Sequence, residues 1–129
     1  MGLHQPITIL LVEDDESACK IISSMLAMIF PHAHVHCAGD GQAGFDSFCK
    51  YLPDIVITDI NMPKMDGVQM LCNMSAIKPD ARVIVVTAHS DRKNIERFTS
   101  TGVAVELVPK PINFKTLFAS IECCIASLS

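Results

Sequence analysis

Apolar residues gather along the chain in five short runs, separated by stretches in which apolar and polar residues alternate at helical spacing. The runs Ile7–Val12, Val35–Ala38, Ile55–Thr58, Val83–Thr87 and Val105–Val108 are rich in Val and Ile and nearly continuous in apolarity. Such runs predict strands covered on both faces. The segments at about 16–29, 41–51, 66–77, 91–100 and 113–127 predict helices. Pro31 stops the first helix, and Gly39-Asp40-Gly41 turns the chain out of the second strand. Pro53-Asp54 precedes the third strand, and Lys78-Pro79-Asp80 separates the third helix from the fourth strand. Asn113 is placed to cap the last helix. Strict alternation of strand and helix predicts an α/β domain, a doubly wound five-stranded parallel sheet with five helices on its two faces.

In open sheets of this kind, ligands bind outside the carboxyl ends of the strands. The first predicted strand runs into Glu13-Asp14-Asp15, the third into Asp59, the fourth ends in Thr87, and the fifth leads to Lys110. Acids, a hydroxyl and an amine therefore converge on one edge. Carboxylates forced together repel unless a cation neutralises them. Oxygen donors without soft ligands favour Mg²⁺, with Mn²⁺ as a second choice. A carboxylate is also a nucleophile toward phosphorus, giving an aspartyl phosphate. Lys110 would then neutralise phosphate charge, while the Thr87 hydroxyl donates to a phosphoryl oxygen. Taken alone, Glu13-Asp14-Asp15 is also an N-terminal helix signal, and Asp15 reads as the cap.

Composition narrows the classes. The chain has 129 residues, half of them apolar and about a fifth charged, which suits one folded domain over 1–129 with its core at about 7–127. The net charge is −4 and no basic patch stands out, which argues against direct nucleic-acid binding. No apolar run approaches the roughly 20 residues of a membrane span. Met1–Pro6 lacks the features of a signal peptide, so the chain reads as cytoplasmic. The six cysteines, Cys19, Cys37, Cys49, Cys72, Cys123 and Cys124, form no C-x-x-C pair and fit no common zinc spacing. In their mostly apolar contexts they read as reduced core thiols. His32, His34 and His36 alternate around the second strand, and a half-solvated edge face accounts for them more simply than a metal does.

Four motifs occur in order, each at a predicted strand end: Leu11-Val12-Glu13-Asp14-Asp15, Thr58-Asp59-Ile60-Asn61-Met62-Pro63-Lys64-Met65-Asp66-Gly67, Val86-Thr87-Ala88 and Lys110-Pro111. Together they resemble the response-regulator receiver family of two-component signalling, over about residues 7–127. The resemblance implies a flavodoxin-like sheet of order 2-1-3-4-5. It implies Asp59 as phosphoacceptor, and a Mg²⁺ site made by Asp14, Asp59, the Asn61 backbone carbonyl and, through water, Glu13. Thr87 and Lys110 would hold the phosphoryl oxygens, and small Ala88 would leave room for the donor. Asn61 and His89 would set the rate of aspartyl-phosphate hydrolysis, and the Lys110–Pro111 bond would be cis.

The implied partners are a sensor histidine kinase or histidine phosphotransfer protein and a downstream effector or output domain. The domain would be a bacterial-type phosphorelay switch rather than an enzyme, though one that assists its own phosphorylation and dephosphorylation. A weak homodimer through the fourth helix, fifth strand and last helix is also implied. Relatives usually carry an aromatic switch residue three positions before the lysine, where this chain has Leu107, and Pro109 ends the fifth strand. The competing class is a Mg²⁺-dependent phosphatase of the haloacid dehalogenase type. Those enzymes carry a second acid two residues after the nucleophile, and here that residue is Asn61. A phosphate-independent interaction domain would be expected to lose some site residues. A flavin carrier would need a phosphate loop after the first strand.

Overall fold

The computed structural model describes residues 6–59, 67–88, 93, 95–97, 102 and 105–128. The strands are β1 (Ile7–Val12), β2 (Ala33–Ala38), β3 (Ile55–Asp59), β4 (Arg82–Thr87) and β5 (Glu106–Pro109). The helices α1 (Glu16–Ile29), α2 (Gly41–Tyr51) and α3 (Gly67–Ile77) follow β1, β2 and β3, and a C-terminal helix spans Phe114–Ser127. Residues 93 and 95–97, in the β4–β5 connection, are helical and fall within the predicted fourth helix. The five strands form one sheet of order β2-β1-β3-β4-β5, with every pair parallel. This is the doubly wound arrangement that the strand–helix alternation predicts, in the flavodoxin-like order that the resemblance implies.

The period-two alternation of strand side chains explains why the strands read as continuously apolar. Ile9, Leu11, Ile57 and Val86 point into a core shared with Leu26 of α1 and with Leu117 and Ile121 of the C-terminal helix. Leu10, Val12, Val56 and Val85 point the other way, against Phe48 of α2 and Met70, Leu71 and Met74 of α3. Both faces of the central strands are thus dry. Of the apolar stripe expected on the C-terminal helix, Leu117, Ile121 and Cys124 are buried. Phe114, Phe118 and Ile125 are half-buried against the same core, and Leu128 is exposed.

Four strands differ in their limits from the sequence reading: β3 runs one residue further, to Asp59, β4 begins one residue earlier, at Arg82, and β2 and β5 shift as follows. β2 begins at Ala33, because Ala33 and His34 pair with Ile7 and Thr8 of β1 although His34 interrupts the apolar run. β5 begins at Glu106 and ends at Pro109, which lies opposite Thr87. An edge strand tolerates the amide hydrogen that proline lacks. His36 of β2 stacks on Tyr51 at the end of α2, with centroids 3.7 Å apart, so this face is occupied by ring packing.

Helix starts follow the cap chemistry. Asp15 accepts from the amides of Ser17 and Ala18, Asp40 from Ala43, and Asn113 from Lys115 and Thr116. The amino edge of the sheet carries a polar clamp. The Asp54 carboxylate accepts from the Thr8 amide at 3.0 Å and from Lys78 Nζ at 3.3 Å. Lys78 also donates to the carbonyls of Leu52 and Pro53, where the chain leaves α2 through a left-handed residue, Leu52 at φ 46°. Among the described residues, no helix is long and apolar enough to cross a membrane.

Candidate functional site

Register alone brings the site together at the carboxyl edge. Val12 lies beside Thr58, Asp59 beside Val86, and Thr87 beside Pro109. The next residue of β1 is therefore Glu13, and the residue after Pro109 is Lys110. The Lys110 amide donates to the Thr87 carbonyl at 2.7 Å, which ties the last two members to each other. The Glu13 amide donates to the Ala38 carbonyl of β2 at 2.9 Å, so the acidic loop is fixed at its root.

Asp59 is only 8% exposed, and its Oδ2 forms an ion pair and hydrogen bond with Lys110 Nζ. A buried carboxylate needs such a partner, because desolvation of the unpaired charge is costly. The ligand atoms of Glu13, Asp14 and Asp59 all lie within 4.8 Å of one another. Burial, and then the charges of Asp59 and Asp14, push the Glu13 carboxyl above its ordinary value, while Lys110 opposes the shift. Three crowded carboxylates facing one ammonium make a donor set that fits a hard divalent cation. Asp14 is exposed and well placed to meet such an ion from solvent.

Thr87 is buried at the end of β4, and Ala88, the next residue, is half-buried. The Thr58 hydroxyl donates to the Asp59 carbonyl at 2.8 Å, so it serves the backbone at the end of β3. The Lys110–Pro111 peptide is cis, as the resemblance implies. Leu107 sits on β5 opposite Val85 and is 45% exposed. Asn61 and His89 lie outside the described residues. The structure thus brings Glu13, Asp14, Asp59, Thr87 and Lys110 to one edge. It also separates Asp15, whose Oδ1 is committed to capping α1. The direct pairing of Lys110 with Asp59 was not foreseen from sequence, where strand ends give proximity but not which side chains touch.

Comparison with known proteins agrees with this geometry. Residues 9–122 match the family model described as response regulator receiver domain. Over 95% of its length the chain is 31% identical to the transcriptional regulatory protein ZraR of Escherichia coli, of which it covers 27%. It is 29% identical to a probable chemotaxis protein CheY of Rhizobium etli, with 99% of each chain covered. A solved response regulator receiver domain protein from Clostridium thermocellum superposes with a TM-score of 0.85, at 28% identity over 94% of this chain and 95% of that one. None of these matches points to a phosphatase of the haloacid dehalogenase type.

Proposed function

The chain belongs to the response regulator receiver domain family, and on that premise we propose that Asp59 takes the phosphoryl group. The protein is a receiver domain of two-component signalling, a switch and not a conventional enzyme. The observation that carries the assignment of Asp59 is its burial at the end of β3, between the acids that follow β1 and the ammonium that follows β5.

In the proposed reaction, the Asp59 carboxylate attacks phosphorus in line with the leaving ring nitrogen of a phosphohistidine on a histidine kinase or phosphotransfer protein. The P–N bond breaks, a P–O bond forms, and the departing imidazole nitrogen takes a proton. Mg²⁺, when bound, would offset the negative charge of the carboxylates and the phosphoryl oxygens. Asp14 and Asp59 would hold it with the Asn61 backbone carbonyl, and Glu13 would support it. Lys110 already sits on Asp59 Oδ2 and would share its charge with a phosphoryl oxygen. Thr87 would donate its hydroxyl to another, with Ala88 leaving the approach open. Asn61 and His89 would govern hydrolysis, and thereby how far the domain assists its own dephosphorylation.

The whole 1–129 chain is proposed as one receiver domain working in the cytoplasm. The chain spans about a quarter of ZraR, so an effector or output domain is proposed as its downstream partner. The surface made by the fourth helix, β5 and the C-terminal helix is proposed as a weak homodimer contact. Intact-mass measurement with a small phosphodonor and Mg²⁺ tests the acceptor. One phosphoryl group is expected on the wild type and none on Asp59→Asn, and an Asp59→Asn variant that still gains the mass would overturn the assignment.

A further inference from the structure

Away from the acidic edge, two thiols from different elements meet. Cys19 lies on α1, and Ser23 follows it by one helical turn on the same side. Cys37 lies on the edge strand β2, paired in register with Leu11, whose side chain shares the core cluster that holds Cys19. The Cys37 Sγ is 2.6 Å from the Ser23 Oγ and 4.0 Å from the Cys19 carbonyl oxygen. The side chains of Cys37 and Ser23 both lie close enough to act on the Cys19 thiol. Cys19 is buried and Cys37 is exposed. An exposed thiol over a buried one, on separate elements already in contact, is the arrangement in which a solvent oxidant reaches the first and the second completes the bond.

From this geometry we propose that Cys19 and Cys37 are a redox modification site, closing to a reversible disulfide that staples α1 to the edge strand. With a peroxide as oxidant, the Cys37 thiolate attacks one peroxide oxygen. The O–O bond breaks, and Cys37 becomes a sulfenic acid as water is released. Cys19 sulfur then attacks the Cys37 sulfur, the S–OH bond breaks, and the hydroxyl leaves as water with the Cys19 proton. Two thiols are oxidised by two electrons, and one peroxide is reduced to two waters. Burial, and then Cys37 beside it, push the Cys19 thiol up, and its burial keeps solvent oxidant away, so the exposed Cys37 is the thiol that meets the peroxide first.

The bond would connect Cys19 to the residue before Ala38, whose carbonyl holds the Glu13 amide. The helix and the strand that frame the acidic loop would then be covalently joined. The test is treatment of the whole protein with dilute hydrogen peroxide, followed by non-reducing peptide mapping. A Cys19–Cys37 cross-linked peptide lacking two hydrogens is expected, formed at the same rate at all protein concentrations and reversed by dithiothreitol. Cys37→Ser, a change at an exposed position, is expected to fold and to lose that peptide. A map in which Cys37 is oxidised further or capped while Cys19 stays reduced would overturn the proposal. So would a Cys37→Ser protein in which Cys19 still forms an intramolecular disulfide.

Discussion

The three consecutive acids after β1 differ in their work, and substitution separates them. Asp15 caps α1 through Oδ1, accepting from Ser17 at 2.9 Å and Ala18 at 3.2 Å. Replacing it with Ala leaves two amides of the first turn without that acceptor and removes a negative charge from the positive end of the helix dipole. Loss of such a cap costs about 1 kcal/mol. Unfolding entropy near 2.1 cal/mol/K per residue gives roughly 270 cal/mol/K for a chain of this size, so Tm should fall by about 4 °C. Asp15→Ser keeps an oxygen acceptor and should recover most of the loss. Asp14 is exposed and belongs to the carboxylate cluster, so Asp14→Ala should leave Tm of the metal-free protein unchanged or raised while sharply weakening Mg²⁺ binding. The assay is thermal melting by circular dichroism, paired with Mg²⁺ titration followed by NMR shifts. If Asp15→Ala melts with the wild type and loses Mg²⁺ affinity, the division of roles is wrong.

Three further substitutions test the surroundings. The raised Glu13 value means that ionising this carboxyl costs the folded state. That penalty is absent below the unfolded value, grows as pH rises toward the raised folded value, and is complete above it. Without divalent cation at pH 7, Glu13→Gln should therefore stabilise modestly, the effect being reduced by solvent screening. The gain should vanish below about pH 4, and urea melts across pH would show a flat difference if this is wrong. A Cβ on Gly44 of α2 would stand 2.9 and 3.0 Å from the two methyls of buried Val12. Gly44→Ala gains about 1 kcal/mol in helix propensity, but overpacking against a stiff β-branched core residue costs about 1–3 kcal/mol. A net loss in urea unfolding is expected, and a more stable variant would show that β1 yields there. Asp54→Ala should cost about 1–2 kcal/mol through the lost Thr8 and Lys78 contacts without reducing phosphoryl uptake from a small donor, which intact-mass measurement would check.

Much of this architecture is legible in the sequence because both faces of the sheet are covered. Continuous apolar runs mark β1, β3 and β4, and the capping residues Asp15 and Asn113 fix where two helices start. β2 was less legible, since His34 belongs to a strand only through its pairing with Thr8, a partner far away in the chain. The acidic loop and Asp59 could be read as neighbours because parallel strands end on a common edge. The contact of Lys110 with Asp59, the Asp54–Lys78 clamp and the meeting of Cys19 with Cys37 depend on side-chain directions across elements. Periodicity does not carry that information.

The Asp54–Lys78 clamp also divides the domain mechanically. At the amino edge it ties β1, β3 and the exit of α2 into one block, so neither strand can slide along the other without breaking half-buried polar bonds. At the far side of the sheet β5 is four residues long and, among the described residues, pairs only with β4. Stiffness therefore falls from the β1–β3 pair toward the edge that delivers Lys110. A charge arriving at Asp59 would meet a fixed anvil on one side and a spring on the other. Its displacement would travel toward β5, and β5 amides should exchange with deuterium before those of β1 and β3.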